Sequence, residues 1–174
     1  MFLKPTSCII GPEEPIILPK DAGRVDYEGE LVVVIGRRCR KVSVEQAMDY
    51  VFGYTCGNDV SAREWQRADR QWWRAKGADT FGPIGPWIVT GLDPATLHLV
   101  TRVNGQVVQE TDTSLLIFSV PEILSFASQA MTLEPGDIIF TGTPGTTAQA
   151  HPGDVCEVEI SSIGVLRNPV WAEE

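Results

Sequence analysis

Tyr27-Glu28-Gly29-Glu30-Leu31-Val32-Val33-Val34-Ile35-Gly36 is the stretch on which the reading of this chain turns. It is apolar, β-branched and bounded by glycine, as a buried β-strand should be. Side chains alternate faces along a strand, so Glu28 and Glu30 share one face, with Cα atoms about 7 Å apart. Val32 and Val34 continue that face into the core. Two carboxylates at the wet end of a buried strand are costly unless positive charge lies between them. The pattern points to a metal ion, or alternatively to a pair of basic side chains.

The 174 residues fit a single domain, 1–174, that can bury a substantial core. Apolar residues make up 43% and charged residues 21%, both ordinary for a globular protein. The net charge of −9 argues against non-specific nucleic-acid binding and against docking on an anionic membrane. An anionic substrate would therefore need local positive charge. No run approaches the roughly 18 apolar residues of a membrane span. Met1-Phe2-Leu3-Lys4-Pro5 does not read as a signal peptide, so a cytoplasmic location is expected. Cys8, Cys39, Cys56 and Cys156 show no C-x-x-C spacing and read as reduced thiols. His98 lies in an alternating Leu97-His98-Leu99 segment and should point outward, while His151 precedes a Pro-Gly-Asp turn. Neither is placed as a catalytic base.

Residues 1–24 carry four prolines and read as extended segments and turns. Ser43-Val44-Glu45-Gln46 is a capping-box pattern opening a short helix over 43–51. A strand is expected over 52–60. A second capping box, Ser61-Ala62-Arg63-Glu64, then starts a helical stretch through about residue 67. Trp72, Trp73, Arg74, Lys76 and Asp79 fall in an irregular loop. Strands follow over 87–90 and 97–103, and Asn104-Gly105 marks a hairpin with its return over 106–110. Ser119-Val120-Pro121-Glu122 opens the best helix, with Ile123, Leu124, Phe126, Ala127, Ala130 and Met131 as its apolar stripe. Further strands are expected over 138–141 and 155–160. The pattern is mainly β with a few short helices, an α+β chain without regular βαβ alternation.

Asp59 stands at a strand end just before a capped helix, where on its own it would read as a turn or N-cap aspartate. Joined to Glu28 and Glu30 it completes an oxygen-donor set suited to a hard divalent ion such as Mg²⁺. Three carboxylates leave positions open for water and a chelating substrate. Arg63, Gln66, Arg74 and Lys76 follow closely and fit anion binding, with solvated surface charge as the alternative. Gly77 beside Lys76 permits close approach of backbone or ligand. The hydroxyls and free amides of Thr141-Gly142-Thr143-Pro144-Gly145 could hold a carboxylate, but the G-K-[ST] ending of a phosphate loop is missing. There is no G-x-S-x-G elbow and no convincing Ser/His/Asp set.

Several segments in order resemble the fumarylacetoacetate hydrolase family. They include Asp26-Tyr27-Glu28-Gly29-Glu30-Leu31, Gly53-Tyr54-Thr55, Asn58-Asp59-Val60-Ser61-Ala62-Arg63, Lys76-Gly77-Ala78-Asp79-Thr80-Phe81 and Gly82-Pro83-Ile84-Gly85-Pro86-Trp87. Val103-Asn104-Gly105, Ile117-Phe118-Ser119, Pro135-Gly136-Asp137 and Thr141-Gly142-Thr143-Pro144 extend the match over nearly the whole chain. The resemblance implies a mixed β-sandwich roll, usually a homodimer. It implies Glu28, Glu30 and Asp59 as ligands of Mg²⁺ or Mn²⁺, with Ca²⁺ as a further option. It makes Lys76 the active-site lysine, places Arg63 and Gln66 near the substrate, and puts Thr143 on a loop that contacts the substrate carboxylate. Members hydrolyse, decarboxylate or isomerise 2-oxo and 1,3-diketo acids, many from aromatic breakdown, so the expected partner is a small anionic 2-oxo acid.

Such an acid would chelate the ion, which stabilises the enolate formed as a C–C or C–H bond breaks. Lys76 would add positive charge or a proton donor, and burial near the ion would lower its pKa. Two departures stand out. The family carries a lid with a histidine and a glutamate ahead of the Phe-Leu-Lys-Pro motif, which here is residues 2–5, so the expectation is a domain without that lid or the small N-terminal domain. Gly145-Thr146-Thr147-Ala148 replaces the usual Gly-Val continuation. The alternatives are a non-catalytic member that keeps the fold and dimer interface, and a simple cation-binding β module.

Overall fold

The double-glutamate stretch forms a strand, Gly29–Ile35, that is buried at all seven positions. In the computed structural model, which describes residues 1–174, the elements before it are β1 (Ile9–Ile10), β2 (Ile16–Leu18) and β3 (Val25–Asp26). Gly29–Ile35 is β4, followed by β5 (Val51–Asn58), β6 (Ser61–Ala62), α1 (Arg63–Ala68), α2 (Trp73–Gly77) and β7 (Gly82–Val89). Then come β8 (His98–Val103), β9 (Gln106–Asp112), α3 (Val120–Ala130), β10 (Ile138–Phe140), β11 (Val155–Ile160) and β12 (Gly164–Ala172). One five-stranded sheet runs β1-β7-β5-β4-β10, a second runs β2-β12-β11-β8-β9, and β3 pairs with β6 alone. The result is the expected β-sandwich of mainly antiparallel strands with a few short helices.

Alternation along β4 sorts its side chains. Leu31 and Val33 join Tyr54 and Cys56 of the first sheet against Leu99, Val158, Ile160 and Leu166 of the second, making the inter-sheet core. The even-numbered residues face the other way, and Val32 lies against Phe140 of β10 above Gly57. Glu28 and Glu30 are on this second face. The register Gly29↔Asn58 to Val34↔Gly53 brings the N-terminal end of β4 beside the C-terminal end of β5. The Asp59 amide then donates to the Glu28 carbonyl at 2.9 Å, which fixes the third carboxylate next to the first two. Gly29 is a point of close approach between the sheets, because a Cβ there would overlap Thr101 Oγ1 of β8.

α3 begins as expected. The Ser119 amide donates to the Glu122 carboxylate at 2.7 Å, and Pro121 sits in the first turn. Its buried face is rotated from the expected stripe, with Leu124 and Ala127 in the core and Phe126 68% exposed. Two serines set that rotation. Ser125 Oγ donates to the Val42 carbonyl at 2.8 Å, and Ser128 Oγ accepts from the Val42 amide at 3.0 Å.

Other expectations are corrected. No α-helix forms over 43–51, where only a 3₁₀ turn, Ala47–Tyr50, appears. Val42 is pinned to α3 and β5 starts at Val51, so the chain turns tightly between these two anchors. The second capping box does not form either, because Ser61 is a strand residue whose hydroxyl donates to the Asp59 carbonyl at 2.9 Å. The expected loop around Lys76 contains α2. The extended reading of the first 24 residues agrees with β1 and β2, but β12 was not anticipated. Pro169 interrupts its sequence signal, yet β2 begins to pair with β12 only at Val170, so the missing N–H costs no ladder bond there. No helix is long and apolar enough to cross a membrane. All four cysteines are unpaired and buried.

Because Gly29 sits where the sheets touch, Gly29→Ala should cost about 1–3 kcal/mol through overpacking. A urea melt would register this as a lower midpoint with unchanged slope.

Candidate metal centre

Glu28, Glu30 and Asp59 come from β4, the residue before it and the residue after β5. Each offers a carboxylate oxygen, and these atoms lie within 4.8 Å of one another. All three are nearly inaccessible, at 7%, 3% and 2% exposure. The Glu28 amide is held by Asn58 Oδ1 at 2.8 Å, which sets the backbone at the mouth of the strand. Both alternatives raised by the sequence therefore need weighing, because basic side chains do enter the cluster. Lys76 Nζ, from α2, donates to Glu28 Oε2 and to Asp59 Oδ2, each at 2.6 Å. Lys4 Nζ donates to Asp59 Oδ1 at 2.7 Å, to the Phe81 carbonyl at 2.8 Å, and to the Lys76 carbonyl. Arg63 Nη2 reaches Glu28 Oε1 at 2.5 Å.

Glu30 has no cationic partner. Its polar contact is the Gly142 amide, 2.7 Å from Oε2. Burial first, and then the neighbouring Asp59 charge, hold its carboxyl well above the usual carboxylate range. The donor set fits a hard divalent ion on chemical grounds: three anionic oxygens converge, and the one without a counter-charge is the most deeply buried glutamate. The basic side chains satisfy Glu28 and Asp59 but leave this remaining charge unmet.

Lys76 is 3% exposed, and its ammonium lies 4.9 Å from the Phe2 ring centroid. Phe2 in turn packs against Trp72 at a centroid distance of 6.0 Å. Burial disfavours the Lys76 charge, but Asp59 and Glu28 outweigh it, so without an ion its pKa is raised. The cluster forms the floor of a cleft of about 1100 Å³. Apolar residues such as Phe118, Ile123, Phe126 and Phe140 line its walls, and Thr141, Gly142 and Thr143 form one side.

The other expected site residues take different places. Thr143 lines the cleft, but its hydroxyl donates to the Gly29 carbonyl at 2.9 Å and accepts from Gln109 Nε2 at 2.9 Å. Arg63 and Gln66 do not line it. Arg63 is turned inward, with Nε on Asp26 at 2.8 Å, Nη1 on Gln66 Oε1 at 3.0 Å and Nη2 also on Thr147 Oγ1 at 2.7 Å. Arg63 therefore meets the centre through Glu28, with Gln66 bonded to it from the side. Arg74 lies elsewhere, paired with Asp69 at 2.6 Å and stacked on Trp65. His98 is on the surface between Asp112 and Glu110, and its pKa is raised by those bonds. His151 is exposed and outside the cleft.

Lys4, Asp26, Gln109 and Thr147 were not anticipated. Lys4 and Asp26 belong to motifs quoted from the sequence, but nothing in their spacing says that they turn inward. Asp26 is fully buried. Burial alone would raise its pKa, but hydrogen bonds from Arg24, Thr147 and Arg63 bring it below the ordinary aspartate value. Gln109 Nε2 also donates to the Pro144 carbonyl at 2.7 Å, and its Oε1 accepts from the Gly29 amide at 3.2 Å, fastening the loop to β4.

Fold and site together define a β-sandwich with a buried, all-oxygen acidic centre at the floor of an apolar cleft. The chain belongs to the fumarylacetoacetate hydrolase family: the family model described as fumarylacetoacetate (FAA) hydrolase C-terminal matches residues 1–171. It is similar to the crystal structure of a 2-hydroxyhepta-2,4-diene-1,7-dioate isomerase from Mycobacterium marinum, with 54% identity and a TM-score of 0.97, covering 99% of this chain and 68% of that one. A maleylpyruvate hydrolase from Sphingobium sp. SYK-6, crystallised with manganese(II) and pyruvate, is 40% identical with a TM-score of 0.90, covering 99% of this chain and 64% of that one. Among curated relatives, a mitochondrial oxaloacetate tautomerase of Xenopus laevis is 42% identical over 182 residues, 98% of this chain and 57% of the relative. The chain spans about two thirds of the length of other curated relatives that it matches more strongly.

An uncompensated buried carboxylate should destabilise the ion-free protein. The Glu30 pKa is higher folded than unfolded, so the protonated form's advantage is fully present below the unfolded-chain value of about 4.3. It is lost as pH rises through the folded value. In chelator, Glu30→Gln should therefore raise the melting temperature at pH 7 by about 2–4 °C per kcal/mol recovered, and the gain should vanish near pH 4. Calorimetry at the two pH values checks this.

Proposed function

We propose that this chain carries the catalytic centre of a divalent-cation-dependent enzyme acting on small 2-oxo or 1,3-diketo acids, by hydrolysis, decarboxylation or isomerisation. The observation that carries the reading is the convergence of Glu28, Glu30 and Asp59 with Lys76 on the floor of one cleft. Relatives named as an isomerase, a hydrolase and a tautomerase of such acids support the class. Mg²⁺ or Mn²⁺ held by Glu28, Glu30 and Asp59 would supply Lewis-acid polarisation of a chelating 2-oxo acid.

The chain's own residues do the rest. The Lys76 ammonium, stabilised in its charged form, has three N–H donors, of which Glu28 and Asp59 engage two. The third is available to a substrate oxygen that gains negative charge as the bond breaks. Phe118, Ile123 and Phe140 give the cleft apolar walls beside the polar floor, which lowers the local dielectric and strengthens its electrostatics. Thr143 acts through the wall it shapes, since its hydroxyl is directed at Gly29. Arg63, braced by Gln66, acts from behind on Glu28 rather than on substrate. A homodimer would cover the apolar surface of Leu115, Ile117 and Phe118, which are 73%, 91% and 64% exposed. A cytoplasmic location fits four unpaired cysteines.

The test follows loss of enolising 2-oxo acids by ultraviolet absorbance with Mg²⁺ or Mn²⁺. Chelation and Glu28→Gln should each abolish turnover, and Lys76→Met should lower it about 10²–10³-fold. Turnover indifferent to metal and to Glu28→Gln would overturn the reading. Metal-dependent oxalate binding without turnover would instead favour a non-catalytic member of the family. Light scattering should give twice the 19.1 kDa chain mass; a monomer would remove the dimer from the proposal.

A further inference from the structure

Asp26 lies outside the cleft and touches none of the three converging oxygens, yet it is a fully buried carboxylate with four hydrogen bonds. Arg24 donates from Nε at 2.6 Å and from Nη2 at 2.9 Å, Arg63 from Nε at 2.8 Å, and Thr147 from its hydroxyl at 2.6 Å. Its backbone is equally fixed, paired with Ser61 in the β3–β6 ladder and bridged to Gln149. A rigid anion therefore grips one edge of the Arg63 guanidinium, while Nη2 is left for Glu28 Oε1 at 2.5 Å. Thr147 closes the triangle, since its hydroxyl accepts from Arg63 Nη2 at 2.7 Å and donates to Asp26.

We propose that Asp26 is a positioning residue for the cation centre, acting through Arg63 on Glu28. The inference rests on the reading of Glu28 as a cation ligand. Held back by Asp26, Arg63 takes one oxygen of Glu28 and leaves Oε2 to Lys76 Nζ, which also bonds Asp59 Oδ2, so that Glu28 stays within the carboxylate cluster. A guanidinium is a planar fork that matches a carboxylate bidentately. Released from Asp26, it turns toward Glu28, engages both oxygens and withdraws Oε2 from the cluster. The same triangle ties the second half of the 141–147 loop to the centre, while the Gly142 amide ties the first half to Glu30. Partners of this outer kind orient metal ligands in many sites, and their loss there weakens metal binding about 10–100-fold.

The experiment measures Mn²⁺ affinity by the paramagnetic resonance signal of free Mn²⁺, alongside thermal melting, for wild type, Asp26→Asn, Arg63→Gln and the double variant. Asp26→Asn should weaken Mn²⁺ binding about 10–100-fold. Added to Arg63→Gln, it should change affinity by less than about twofold, because the group through which it acts is gone. Unchanged affinity in Asp26→Asn, with only a lower melting temperature, would make Asp26 merely structural and overturn the proposal. So would an effect that persists undiminished in the Arg63→Gln background. If Asp26→Asn does not fold, Thr147→Val removes the third corner and should weaken binding several-fold; wild-type affinity there also overturns it. A wild-type protein that binds no Mn²⁺ brings down the cation reading and this inference together, whereas tight wild-type binding with an unaffected Asp26→Asn brings down only the inference.

Discussion

Charge alternation at one end of the sandwich is the constraint on which this structure depends. Asp26, Glu28, Glu30 and Asp59 are all buried there. Carboxylates out of water are tolerated only when each finds a cation or several donors. The chain meets the requirement with a lattice running Arg24, Asp26, Arg63, Glu28, Lys76, Asp59, Lys4, in which each charge is flanked by its opposite. Glu30 is the member left over. It is the one break in an otherwise complete ion-pair network, and its uncompensated oxygen has the chemistry that a hard cation fits.

The fold exists to hold that lattice still. Its members come from the N-terminal segment, β3, β4, the end of β5, α1 and α2, so none is positioned by local sequence alone. Two packed sheets fix β4 against β5, and Gly29 lets the second sheet come close enough for Gln109 to reach across to Gly29 and Pro144. The loop carrying Gly142 and Thr147 is pinned at both of those positions and cannot drift without disturbing Glu30 or Arg63. Rigid anchoring of this kind is what the proposed centre needs, because charges already in place require little rearrangement on binding.

Much of this was legible in the residues. The apolar run after Glu28 and Glu30 gave both the strand and its two faces, and Asn104-Gly105 gave the hairpin. The carboxylate set follows from strand alternation plus one strand-end aspartate, and these are short-range signals. What failed was long-range. Ser61 looks like a helix cap, but its pairing with Asp26 makes it a strand residue. Pro169 hid β12 because whether a strand tolerates proline depends on where its neighbour starts to pair. Arg63 reads as one of a cluster of basic and amide groups after Asp59, and only the folded arrangement shows its guanidinium shared between Asp26 and Glu28. Lys4 and Asp26 acquire meaning solely from partners dozens of residues away.

The tilted contact of Trp72 with Phe2 has a practical side. Phe2 lies beneath the Lys76 ammonium, so the indole is two contacts away from the charged floor of the cleft. Trp72 is 42% exposed, and its emission responds to polarity and to the packing of that ring. The protein thus carries a built-in fluorophore close to its buried lysine, and a chain in which the remaining indoles are replaced would let occupancy of the floor be followed optically, without any attached dye.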